Sequence, residues 1–224
     1  MQNPEKLFEH IGYVFNDKML LQSALTHRSA TGNNYERMEF LGDSILGFVI
    51  SKELYQRFPQ AEEGQLSRLR ASLVKGETLA KIARTLNLGD FLFMGSGELK
   101  SGGFRRSSIL ADTFEAIIGA IYLDSNIQQA EKFILKFYKN KLAACDPSKA
   151  EKDPKTRLQE FLQAESASLP VYSVVNIQGE AHKQNFEVEC FLKERNIREV
   201  GEGSSRRKAE QAAAQKILDT IADE

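Results

Sequence analysis

YERMEFLGDS, residues 35–44, sets three acids into a largely apolar stretch: Glu36, Glu39 and Asp43, spaced by three and four. On a helix, at about 100° per residue, the three carboxylates fall within an arc of about 60°. Like charges at that spacing repel by about a few tenths of a kcal/mol when exposed and by much more when buried. A strip gathered this way needs something elsewhere in the chain to neutralise it.

The pattern around the strip predicts a helix over residues 35–58, stopped by Pro59. Met38, Leu41, Ile45, Phe48 and Val49 make one apolar face, and Leu46, Ile50 and Leu54 lie on other sides. The helix is therefore expected to be buried almost all round. Gly42 and Gly47 each cost about 1 kcal/mol against alanine, which points to another backbone packed closely there. Phe40 projects away from the main face, as a second-layer core residue or a subunit contact.

Upstream, residues 1–30 read as helical, and His27 is taken as structural. Downstream, Leu66, Leu69 and Leu73, then Leu79, Ile82, Ala83 and Leu86, give two amphipathic helices with basic residues on solvated faces. Glu63 falls in the loop or first turn before them. Residues 89–106, rich in glycine and cations, read as a flexible positive loop. SSILADTFEAIIGAIYLDS then starts a second buried helix, capped by Ser107 or Ser108. It carries Asp112 and Glu115 at i, i+3, again inside an apolar run.

Two acid pairs on two apolar helices are better explained by one shared site than by two separate ion pairs. Glu39, Asp43, Asp112 and Glu115 cannot all stay ionised together unless a cation joins them. An all-oxygen set suits Mg²⁺ or Mn²⁺ rather than zinc. Glu36 and Glu63 are candidates for placing a second ion with the help of substrate phosphates. The plainer alternative is that all of these acids are ordinary ion-paired residues.

A helix over residues 127–142 closes the first domain, 1–143. A charged, proline-containing linker follows, 144–153. Residues 154–224 change character: a short helix, three strands and a final helix capped by Ser204 or Ser205, in the order α-β-β-β-α. Phe186, Val188, Cys190 and Leu192 alternate with Glu187 and Glu189, so one face of the middle strand is buried. The last helix opens with Arg206, Arg207 and Lys208, where cations oppose the helix dipole unless an anion lies there. This segment carries ten Lys and Arg against twelve Asp and Glu, so the phosphate clamp rests on the local cluster and not on net charge.

The whole chain has 224 residues, 42% apolar, with a formal net charge of −1. No global basic field announces nucleic acid. The first residues are charged and lack a long apolar run, which excludes a signal peptide or a membrane span there. Cys145 and Cys190 read as reduced thiols of a cytoplasmic protein, with a disulfide as the alternative.

Three motifs resemble bacterial ribonuclease III. YERMEFLGDSIL is similar to that family's signature, GELKSGGFRRSSILADTFEAIIGAIYLD to its second catalytic stretch. DPKTRLQEFLQ, GEAH and GSSRRKAEQAAA resemble its double-stranded RNA-binding domain. The resemblance spans nearly the whole chain and implies two domains: an all-α endonuclease domain followed by an α+β RNA-binding domain. It implies a homodimeric, Mg²⁺-dependent endoribonuclease, with Mn²⁺ able to substitute, that cuts double-stranded RNA. The products would carry 5′-phosphate and 3′-hydroxyl ends with a short 3′ overhang. The family's roles would place it in ribosomal, messenger and transfer RNA processing.

By similarity Glu39, Asp43, Asp112 and Glu115 hold the metal, with Asp43 and Glu115 catalytic, and Glu36 and Glu63 are auxiliary acids. Phe40 resembles the aromatic residue that plugs into the partner subunit. Gln159 and Glu160 would meet one minor groove, His182 a second, and Ser205, Arg206, Arg207 and Lys208 the phosphates between them. Two rivals are a catalytically silent double-stranded RNA-binding protein and a metal-dependent DNA nuclease.

Overall fold

The acid-bearing stretch forms α3, Glu36–Arg57, in a computed structural model that describes residues 6–149, 152–180 and 184–222. The chain divides into two compact units, residues 1–150 and 151–224. At the centre of the first, α3 packs on α7, Ser107–Asp124. The two helices touch backbone to backbone. A Cβ on Gly42 would lie 1.8 Å from the Glu115 carbonyl oxygen, and one on Gly119 would lie 2.3 Å from that of Met38. Only glycine allows this approach. Ile45, Leu46, Val49, Ile50 and Leu54 of α3 share one core with Phe114, Ile117, Ile118 and Ile121 of α7. Burying each such side chain contributes about 1.5–3 kcal/mol before the entropy of ordering it is charged.

Around the pair lie α1, Leu7–Ile11; α2, Lys18–Ala24; α4, Glu63–Val74; α5, Gly76–Thr85; and α8, Ile127–Ala143, with the short α6, Ser96–Lys100. Their starts follow local chemistry. Asp17 accepts from the Met19 amide at 2.8 Å, Asn126 caps α8, and Glu62 with Gln65 forms a capping box on α4.

Several expectations need correction. Residues 6–30 are not one helical stretch: α1 and α2 are short, and the chain after α2 turns away so that Thr26 bridges Phe93 in parallel. Residues 89–106 are built from short helical turns, Leu88–Phe91, α6 at Ser96–Lys100, and Gly103–Arg105. Their glycines mark close approach: a Cβ on Gly95 would lie 2.3 Å from the Ser29 carbonyl. Arg106, not a serine, occupies the N-cap of α7, with no side-chain cap bond. Nor is α3 buried all round. Phe48 is 57% exposed, on one strip with Phe40 at 77% and Tyr55 at 74%. Gly47 faces open space, with nothing within 4 Å of an added Cβ, so close packing explains Gly42 and not Gly47.

The second unit runs α9, Pro154–Ala164; β1, Val171–Gln178; β2, Asn185–Leu192; β3, Ile197–Gly203; and α10, Arg206–Ala222. The strands form an antiparallel sheet in that order, with Val188 opposite Val174 and Gly201 and an irregularity between Val174 and Asn176. Leu158 and Leu162 of α9, Cys190 and Leu192 of β2, and Ala213, Ala214 and Ile217 of α10 form its core. Small residues on α10 let it sit against the sheet: a Cβ on Gly201 would lie 2.1 Å from the Ala213 amide nitrogen. Both cysteines are free thiols. No described helix is long and apolar enough to cross a membrane.

Candidate metal centre and nucleic-acid interface

The glycine contact between α3 and α7 brings their acids together. One carboxylate oxygen from each of Glu39, Asp112 and Glu115 lies within 4.8 Å of the other two, and all three residues are half-buried. Asp43, one turn beyond Glu39, is exposed and falls outside this set. Its charge still reaches Glu115. Burial first, then the charges of Asp43, Glu39 and Asp112, push the Glu115 carboxyl up to about 8. Burial and the charges of Asp112, Glu36 and Asp43 also raise Glu39. Burial raises Asp112 too, opposed by a hydrogen bond from Tyr35 and by the nearby charge of Arg28.

Three half-buried carboxylates crowded without a basic partner among them are mutually destabilising as anions. The donor set is all oxygen, with no histidine or cysteine in it. Such residues fit a hard divalent cation, which would relieve the repulsion and displace the proton that Glu115 otherwise retains.

Beside the acids lies a cleft of about 600 Å³. Glu36, Glu39 and Asp112 line it together with His27, Arg28 and Arg106. Tyr35 is buried beneath it and donates a long 3.5 Å bond to Asp112 Oδ2. Arg28 lies 3.7 Å from Glu36, and Arg106 pairs with Glu98 at 2.8 Å. None of Tyr35, Arg28, Ser29 and Arg106 was legible as a cleft residue in the sequence. The available signal was position alone, one turn before Glu39 or at the mouth of α7.

The chain is similar to known proteins over both units. Residues 17–142 match the family described as Ribonuclease-III-like, and residues 154–221 match the double-stranded RNA binding motif. Ribonuclease 3 of Vibrio atlanticus is 56% identical over 224 residues, the full length of both chains. The chain belongs to the ribonuclease III family. Ribonuclease 3 of Vibrio vulnificus is 57% identical over 222 residues, 99% of each chain. The nuclease domain of ribonuclease III from Campylobacter jejuni is 46% identical with a TM-score of 0.60, over 62% of this chain and 97% of that one. As a ribonuclease III, the chain is an endoribonuclease of double-stranded RNA, with a helical nuclease domain followed by an RNA-binding motif.

The RNA-binding residues expected from the sequence are only partly displayed as expected. Gln159 is exposed on α9. Glu160 beside it is engaged by Lys152, with Nζ 2.6 Å from Oε1. Arg206, Arg207 and Lys208 are all exposed on the first turn of α10. Ser205 accepts from the Lys208 amide at 3.3 Å, Arg206 pairs with Glu210 at 2.9 Å, and Lys208 Nζ reaches Ser204 at 3.1 Å. His182 lies outside the described residues.

The remaining two expected site residues sit away from the acid cluster. Glu63 is exposed at the start of α4 and lines a second hollow, about 380 Å³, with Phe48, Leu54, Tyr55 and Leu66. Phe40 is adjacent to Glu39 in sequence but points outward.

Proposed function

We propose that this chain is a homodimeric, Mg²⁺-dependent endoribonuclease whose metal ligands are Glu39, Asp43, Asp112 and Glu115. The Glu39–Asp112–Glu115 set, with its all-oxygen donors and proton-holding Glu115, carries this reading. A hydrated Mg²⁺ supplies charge neutralisation and water activation for phosphodiester hydrolysis, and Mn²⁺ has the same preference for oxygen. The chain's residues do the rest. The α3–α7 contact fixes the spacing of the acids. Asp43 adds charge at the open side. Tyr35, whose hydroxyl is kept protonated by burial and by the charges of Asp112 and Glu39, holds Asp112 in place.

The RNA-binding domain, from about residue 154, would grip the duplex by its A-form shape through Gln159, Glu160, His182, Ser205, Arg206, Arg207 and Lys208. Phe40 would seat in a partner subunit. The hollow between α3 and α4 is an apolar receptor of suitable size, and Phe40 is the most exposed large apolar side chain among the described residues of the first unit. That seating would bring Glu63 of one subunit beside the Glu39 end of the other, giving both auxiliary acids, Glu36 and Glu63, a place at one valley. Two sites in one valley account for cuts on both strands, 5′-phosphate and 3′-hydroxyl ends, and a short 3′ overhang. Cytoplasmic processing of ribosomal, messenger and transfer RNA precursors is the corresponding role. Incubation of labelled duplex RNA with the protein in Mg²⁺ and in EDTA tests the reading: cleavage only with Mg²⁺ supports it, and cleavage in EDTA or of DNA duplex at an equal rate refutes it.

A further inference from the structure

His27 reads from sequence as a structural histidine, and half of its ring is. The loop after α2 is tied down by backbone bonds: His27 N–H donates to Phe93 O at 2.9 Å and Tyr35 N–H to Thr26 O at 3.0 Å. Ser29 then engages the imidazole twice. Its backbone N–H donates to His27 Nδ1 at 3.1 Å, and its hydroxyl lies 2.7 Å from the same nitrogen. The Gly95 amide donates to Ser29 Oγ at 3.0 Å, which leaves the hydroxyl hydrogen for the ring.

A backbone N–H can only donate, so Nδ1 is an acceptor and the ring's hydrogen sits on Nε2. The Tyr35 ring packs edge-on against His27, with centroids 5.7 Å apart, and limits its tilt. The side chain is 6% exposed, and Nε2–H has no protein acceptor among the described residues. Yet His27 lines the cleft beside Asp112 and Glu39. With Nδ1 taken by Ser29, the ring nitrogen left for the cleft is a donor held in one tautomer, set to meet an acceptor on a bound ligand.

We propose that His27 is a substrate-contacting residue whose Nε2–H donates a hydrogen bond to a phosphate oxygen of the RNA strand bound in the cleft. Glu36, Glu39, Asp112 and Glu98 of α6 line the cleft, with Arg28 paired to Glu36 and Arg106 to Glu98. Toward it His27 offers a donor and no acceptor, which suits an acceptor-only phosphate oxygen better than a base edge that also presents donors. Ser29 is a positioning residue that acts through the ring. The proposal rests on the nuclease reading above and adds a contact to it.

Two substitutions separate the nitrogens. His27→Asn keeps an acceptor near Nδ1 for Ser29 and lacks the far donor. His27→Gln places an amide N–H near Nε2. The full-length protein is assayed by single-turnover cleavage of duplex RNA in Mg²⁺, by Mn²⁺ binding without RNA, and by thermal unfolding. Loss of one hydrogen bond to a charged group predicts a cleavage rate about 10- to 100-fold lower for His27→Asn, recovered to within about five-fold by His27→Gln. Mn²⁺ affinity should stay within about two-fold in both. A wild-type rate for His27→Asn, no recovery by a folded His27→Gln, or Mn²⁺ affinity falling in step with the rate overturns the contact. If His27→Asn does not fold, Ser29→Ala, which frees the ring to turn, should lose about three- to ten-fold in rate, and an unchanged rate overturns the proposal. Absence of Mg²⁺-dependent cleavage by the wild type sinks the nuclease reading, and the contact with it.

Discussion

Glu115 should make metal binding and proton release one event. Its carboxyl is pushed up to about 8 by burial and by three neighbouring acids. A carboxyl raised this far keeps its proton through neutral pH and loses it as the pH rises past 8. At pH 7 about nine molecules in ten carry that proton, so binding one cation should release about 0.9 proton. The ionised fraction grows about nine-fold from pH 6 to 7, about five-fold from 7 to 8 and less than about two-fold from 8 to 9. Apparent Mg²⁺ affinity of the RNA-free protein should follow that curve and level off above pH 8. Titration calorimetry in two buffers of different ionisation enthalpy counts the protons directly. Glu115→Gln should bind Mg²⁺ more weakly and release few protons, because its amide cannot ionise. A wild-type proton count near zero at pH 7, or an affinity that is flat from pH 6 to 8, would refute the coupling between burial, acid clustering and metal.

Four other outcomes are expected. Glu115→Gln should abolish cleavage but leave duplex RNA binding near wild type by gel shift; parallel loss of both would make the acid structural. Gly42→Ala should lower thermal stability by several kcal/mol, because the methyl has only backbone to displace, whereas Gly47→Ala should be neutral or stabilising by up to about 1 kcal/mol. Equal melting shifts for the two would contradict the contact described. Lys208→Ala should weaken RNA binding and reduce the slope of log affinity against log salt by about one phosphate contact. Phe40→Asp should shift the protein from dimer to monomer in sedimentation and remove double-strand cleavage; a stable dimer would place the subunit interface elsewhere.

Much of this was legible because helices write their burial into periodicity. Ile45, Val49, Leu54, Ile117 and Ile121 declare two buried helices, and the acids stand out against them. Periodicity cannot say what covers an apolar face, so Phe48 read as core although it faces outward. Glycine is ambiguous for a related reason. Gly42 and Gly47 look alike in sequence, and only the α7 backbone distinguishes them. In residues 89–106 glycine read as looseness, while Gly89 and Gly95 are places where another backbone comes close. The Ser29–His27–Tyr35 arrangement depends on a loop folding back to Phe93, a contact between residues 66 apart that no local pattern encodes. Asp43 was grouped with Glu39 by spacing, but a helix turn separates exposure as well as sequence, and the two acids sit in different environments.

The glycine crossing of α3 and α7 also acts as a fulcrum. At the crossing itself the backbones touch with no side-chain layer between them, so it is the point about which a tilt would turn. Glu39 lies three residues from Gly42, about 4.5 Å along the axis, and Tyr55 lies thirteen residues away, about 20 Å. A 10° pivot would carry Tyr55 by about 3 Å but Glu39 by less than about 1 Å. Any tilt of α3 about that crossing would therefore be felt most at its far end and least at its acids.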